Sequence, residues 1–254
     1  MTTIQTASRT PHRNTSRAPA APTRSPSAGR SDYMSGTIHR TLAEAPIGGH
    51  AMLEAALAWQ HLRPTERGNT GEDACTPAPR HLPIVETHSE AVAARIARLL
   101  SGLAWAIVTP CEAGAGLGQP PAARVEVPTT LHRRVLRALT TAWRDARRQF
   151  DPQTPNTRMS ADAAVALWRM GILVAGLGPS QNMIYLHTGT PMVAEMLATA
   201  ARRLGLAPIV DHVHGDPVVA LYHPSEVQWL LTEAGAGSAA TAWARGARPA
   251  GQAR

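Results

Sequence analysis

Six arginines, Arg133, Arg134, Arg137, Arg144, Arg147 and Arg148, fall in one stretch from Thr129 to Phe150 that reads as a helix. At 100° per residue they gather on one side. Leu131, Val135, Leu139, Ala142, Ala146 and Phe150 form the opposite, apolar stripe. Guanidinium groups are permanently charged forks that fit phosphate oxygens. The chemistry this face could do is therefore contact with a nucleic-acid backbone, which carries no sequence preference of its own. Arg133, Arg134, Arg137, Arg144 and Arg148 are the residues expected to meet DNA, and Asp145 is the only acid among them. A solvated helix face is the other reading of the same pattern.

Other constellations are poorer. His212 and His214 stand at i, i+2 on an expected strand, with Asp211, Asp216 and His223 nearby, so a metal site is conceivable. A solvated hairpin edge explains the pattern better, because His214-Gly215-Asp216-Pro217 is turn chemistry in its own right. Gly176-Leu177-Gly178-Pro179 and Gly114-Ala115-Gly116 lack the strand, Lys and helix of a phosphate loop and are read as loops. Ser, His and Asp are present, but no nucleophile elbow is visible. Cys75 and Cys111 have no partners at metal spacing, which argues against a zinc site or a disulfide framework and suits a reducing cytoplasm. No cofactor or metal is expected. The six tryptophans mostly fall on apolar helix faces and are read as core.

The charge sits at the ends of the chain. Residues 1–36 hold five arginines against Asp32, and residues 244–254 hold three arginines and no acid. The stretch between them is balanced, so the net +7 does not describe a basic globular domain. All 25 basic residues are arginine, which reads first as a coding bias. Residues 1–36 are Thr, Ser, Pro, Ala and Arg with few large apolar side chains, and are expected to be a disordered basic tail. No apolar run is long enough for a membrane helix, and no secretory core is present.

The positioning elements follow from periodicity. The stretch at about 50–62, which holds AMLEAALAWQHL, reads as a helix and PIVETH (83–88) as a strand; SEAVAARIARLL (89–100) is a helix capped by Ser89. WAIVTP (105–110) and RVEV (124–127) are strands leading into the arginine-faced helix, which Asp151-Pro152 stops. Ser160 is expected to cap the next helix, which ends at Gly176. A strand, a capped amphipathic helix, a hairpin and a last helix then run to Trp243. The two halves thus share the order helix, strand, helix, strand, strand, helix. Thr87 aligns with Thr188, Ser89 with Thr190, Val92 with Val193, Ala93 with Ala194 and Ile96 with Leu197. Gly102-Leu103-Ala104 aligns with Gly205-Leu206-Ala207, so both glycines are expected as left-handed C-caps. Shared order and residues point to an internal duplication.

WRMGILVAG (168–176), AARRLGL (200–206) and LLTEAGAGSAATAW (230–243) resemble landmarks of the WhiA-like sporulation regulator family, a non-catalytic branch of the LAGLIDADG-type fold. The resemblance covers about 83 residues, Ala161 to Trp243, and extends to 39–150 only through element order. In catalytic LAGLIDADG members each half places an acid near the end of its first helix, where paired carboxylates hold a divalent cation. The matching positions here are Ala175, followed by Gly176, and Ala58-Trp59-Gln60-His61-Leu62. None is acidic, and Glu54 lies about two turns too early. The resemblance therefore implies a protein without nuclease chemistry. WhiA-like regulators also carry a helix-turn-helix after the duplicated module, and ARGARPAGQAR after Trp243 has no room for one. Promoter-specific recognition is not expected from these residues.

The sequence thus predicts an α+β protein of tandem LAGLIDADG-like halves, 37–151 and 160–243, flanked by basic tails at 1–36 and 244–254. The resemblance implies a cytoplasmic, non-catalytic, DNA-associated transcriptional or developmental (sporulation) regulator. The alternative is an interaction module that modulates a related regulator without binding DNA. One chain supplying both halves is compatible with a monomer.

Overall fold

Helices buried on most sides must be largely apolar, and two here are, with Glu54 and Arg169 the charged residues at their contact. Every residue of α2 (Ala51–His61) from Leu53 to Ala58 is buried, as are most of α5 (Ala161–Ala175). These two helices pack against each other and form the seam between the halves. The computed structural model describes residues 26–64, 79–111, 123–153, 161–176 and 183–246, with side chains from 35 to 243 among them. Cys75, Ser160 and the loops 114–116 and 177–179 lie outside the described residues.

In the first half, α2 is followed by β1 (His81–Thr87), α3 (Glu90–Leu100), β2 (Ile107–Pro110), β3 (Ala123–Pro128) and α4 (Thr129–Gln149). In the second, α5 is followed by β4 (Ile184–His187), α6 (Pro191–Arg203), β5 (Ile209–Val213), β6 (Asp216–Leu221) and α7 (Pro224–Leu231). Each half builds an antiparallel three-stranded sheet with its third strand in the middle, β1-β3-β2 and β4-β6-β5. The aligned residues do matching work. The hydroxyls of Ser89 and Thr190 each accept from the amide three residues on, Val92 and Val193, at 3.4 Å. Val92, Ala93 and Ile96 are buried, as are Val193, Ala194 and Leu197. The duplicated α+β architecture is present, and its order matches the one read from sequence.

Four local features differ from expectation. A helix, α1 (Pro26–Glu44), begins inside the stretch read as tail, and it buries Ile38, Leu42 and Ala43 against α3, α5 and the C-terminal helices. Gly205 has the left-handed φ of +79°, but Gly102 does not. After α3 the chain keeps turning right-handed, with the amides of Leu103 and Ala104 both donating to the Leu100 carbonyl, so no left-handed residue is needed. His214 is not in the strand: with φ +53° it forms a two-residue hairpin turn with Gly215 at φ +90°, as the twist of the flanking strands requires. It therefore does not share a face with His212. Of the tryptophans, Trp143, Trp168 and Trp243 are buried, whereas Trp105 is 78% exposed and Trp229 is 40% exposed.

The last helix is broken. A π turn (Thr232–Ala236) separates α7 from α8 (Gly237–Gly246), and Gly235 inside it has φ +99°. A Cβ there would lie 2.7 Å from the Ala45 Cβ, so the break lets the C-terminal helices close onto the end of α1. Among the described residues no helix is long and apolar enough to cross a membrane. Gly235→Ala combines a strained φ with a clash and should lower unfolding free energy by about 1–3 kcal/mol, read by urea denaturation. Gly102→Ala, with open space and an ordinary φ, should be neutral; equal stability of the two variants would contradict the geometry of the break.

Candidate nucleic-acid interface

α4 buries Val135, Leu139, Trp143 and Ala146 and packs on α2, β1 and β3. That packing turns the other side outward, and Arg133, Arg134, Arg137, Arg144, Arg147 and Arg148 are all exposed. Trp143 joins the apolar stripe, while Leu131 and Ala142 lie at its half-buried margin. From Arg133 to Arg148 the helix rises about 22 Å. Among the described residues, Arg133, Arg134, Arg137 and Arg144 have no ion-pair partner. At the C-terminal end Arg203 of α6 donates to the Gln149 carbonyl and fixes the end of α4 against the second half.

The outer sheet faces carry different chemistry. On the first sheet Arg124 sits opposite Glu86 and holds it at 2.6 Å, with Glu126 at 3.7 Å. This face has two acids for one paired base. On the second sheet His187 stands where Glu86 does, Val218 and Ala220 take the central positions of Arg124 and Glu126, and Tyr185, Ile209 and Asp211 flank them, with Tyr185 and His187 in edge contact at 5.2 Å. Neither sheet face adds an unpaired arginine to the arginine side of α4. His212 is exposed in β5, and among the described residues no three metal-ligating side chains converge.

At the seam, α2 ends in half-buried Gln60 and His61, and α5 ends in half-buried Ala175 and Gly176. The nearby acid, Glu54, is buried and occupied. Arg95 of α3 donates to its Oε2 from Nε at 2.9 Å and Nη2 at 2.6 Å, and Arg169 of α5 donates to its Oε1 at 2.7 Å. Arg95 also donates to the carbonyls of Ala43 and Ala45, at 3.2 and 2.7 Å. Arg98 adds a further bond to Ala43, and Arg169 Nε donates to Ala234 in the π turn. Burial pulls the Arg95 guanidinium below its ordinary pKa, and Glu54 opposes that shift.

No family model and no curated protein matches the sequence. Among solved structures, full-length DUF199/WhiA from Thermatoga maritima superposes with a TM-score of 0.50 at 12% identity, over 85% of this chain and 67% of that one. The N-terminal LAGLIDADG domain of DUF199/WhiA gives a TM-score of 0.49 at 10% identity, over 79% of this chain and 89% of that one. The fold is a WhiA-like LAGLIDADG module.

The ionic cluster at the seam of that module was not anticipated from sequence. The signals were there: Glu54 is the lone acid in an otherwise apolar helix, and Arg95 falls between Val92, Ile96 and Leu99 on the buried side of α3. Charges on apolar faces are the pattern that betrays a buried pair. Glu54→Gln removes the one carboxylate between two arginines and should cost about 3–5 kcal/mol by urea denaturation. Arg133→Ala, on the exposed face of α4, should stay within about 0.5 kcal/mol of the parent. A Glu54→Gln protein as stable as the parent would show that the cluster is not holding the seam.

Proposed function

We propose that this chain is a non-catalytic, DNA-associated regulatory module of the WhiA type, engaged in transcriptional or developmental (sporulation) control. The observation that carries the reading is the outward arginine face of α4, set on a rigid helix beside sheet faces that offer no competing basic surface. Arg133, Arg134, Arg137, Arg144 and Arg148 would contact phosphates along the duplex and contribute affinity rather than sequence choice. The seam supports the non-catalytic part. Its helix ends present Ala175 and Gln60 rather than carboxylates, and Glu54 already has both oxygens committed to arginine.

The second reading is an interaction module that acts on a related regulator. It is favoured by Trp105, Ile209, Tyr222 and Trp229, large apolar side chains left 40% or more exposed.

Titration of duplex DNA at several salt concentrations separates the two. On the first reading the affinity should fall with a log–log slope of about −4.5, as for these five arginines each meeting a phosphate. Reversing Arg133, Arg137, Arg144 and Arg148 to Glu should abolish binding. No binding at low salt would sink the DNA reading and favour the interaction module; binding that survives the reversal would move the contact away from α4.

A further inference from the structure

An open cleft of about 450 Å³ lies where α1, the start of α3 and the end of α5 meet. Ser35, His39, Arg40, Ser89 and Gly176 line it, and among the described residues no carboxylate does; Glu90, next to Ser89 in sequence, is not part of that lining. Among the described residues neither the His39 nor the Arg40 side chain has a hydrogen-bond or ion-pair partner. Unused donors around a cleft whose described lining holds no acid favour an anion.

The donor set narrows the kind of anion. Arg40 supplies a charged fork, suited to two oxygens of one tetrahedral or planar group. Burial pushes His39 below its ordinary pKa, so near neutrality it is an uncharged imidazole that can give one N–H. The Ser89 hydroxyl accepts from the Val92 amide and keeps its own proton to donate, and Ser35 brings a second hydroxyl. Several donors of mixed type around one fork suit the three terminal oxygens of a phosphate better than the two of a carboxylate. The volume exceeds one phosphate, and at Gly36 and Gly176 a Cβ would meet no atom of the described residues within 4 Å, so an attached organic group has room among them.

We propose that this cleft binds the phosphate of a small phosphomonoester, with Arg40 as its charged anchor and His39, Ser35 and Ser89 as neutral donors. α4 takes no part in the cleft, so this site and the DNA reading of α4 stand or fall separately.

Inorganic phosphate is the probe. It is titrated into the full ¹⁵N-labelled chain at constant ionic strength held with chloride. Amides of Ser35 to Arg40 and of Ser89 to Ala91 should shift saturably. Arg40→Ala, a change at an exposed side chain, should weaken binding about tenfold, the loss of one charge-assisted contact. Ser89→Asp keeps a good N-cap for α3 but puts a carboxylate in the cleft, so it should abolish phosphate binding while the helix remains. Arg133→Ala should leave the affinity unchanged. Absence of saturable shifts at these amides, or unchanged affinity in both cleft variants, would overturn the proposal. Shifts produced by a DNA duplex but not by inorganic phosphate would overturn it too, and would assign the cleft to nucleic-acid contact.

Discussion

A single buried carboxylate organises the centre of this molecule. Glu54 lies in α2, and each of its oxygens is taken by an arginine from a different helix, Arg95 of α3 and Arg169 of α5. Charge buried this deeply is costly unless every lone pair and every N–H finds a partner. The partners are main-chain carbonyls: Ala43 and Ala45 at the end of α1, and Ala234 in the π turn. The ions are therefore satisfied only when α1, α2, α3, α5 and the broken C-terminal helix all arrive together. Desolvation limits what such a cluster adds to net stability, but the arrangement admits few alternative packings. The left-handed Gly235 belongs to the same constraint, since the break that lets Ala234 meet Arg169 also brings the turn against Ala45.

Around that centre the two halves keep one scaffold and diverge at the surface. Strand order, N-caps and buried positions repeat, because each half must bury the same sheet face against its own helices. The outer faces carry no such demand. The first displays Glu86, Arg124 and Glu126 locked in ion pairs, while the second displays Tyr185, His187 and Ile209. The C-terminal helices diverge as well. α4 is a straight amphipathic rod with an arginine side, whereas its counterpart α7 runs into a π turn and folds back on α1. An internal duplication thus yields one basic helix rather than two, and any phosphate contact through it is one-sided.

How much of this is legible in sequence depends on the range of the interaction. Capped helices and alternating strands are local, so Ser89, Thr190 and the RVEV strand announce themselves, and the arginine side of α4 follows from a 100° turn per residue. α1 escapes because Ser, Gly, Thr and Arg dilute its pattern. Only the spacing Met34, Ile38, Leu42, Ala45 hints at an apolar stripe, and its helix is fixed by tertiary contacts with α3 and α5 rather than by propensity. Gly102 misleads because two helices with the same ending in sequence can exit by different turns. Glu54 is the hardest, since its partners stand 41 and 115 residues away and nothing local requires them.

The same carboxylate bears on chemistry as well as on packing. A metal-dependent cleavage site needs acids at a solvent-reached junction with oxygens free to coordinate a hard cation. At this junction the acid sits inside the seam, with its oxygens held by guanidinium groups, and the helix ends carry Ala175 and Gln60. To free Glu54 for a cation would leave Arg95 and Arg169 buried without a counter-charge, a penalty that falls on the whole helix assembly. Structural use and catalytic use of Glu54 are thus mutually exclusive, and the fold has committed to the first. On the exterior, by contrast, the arginine side of α4 carries its charge without strain and at no cost to the core.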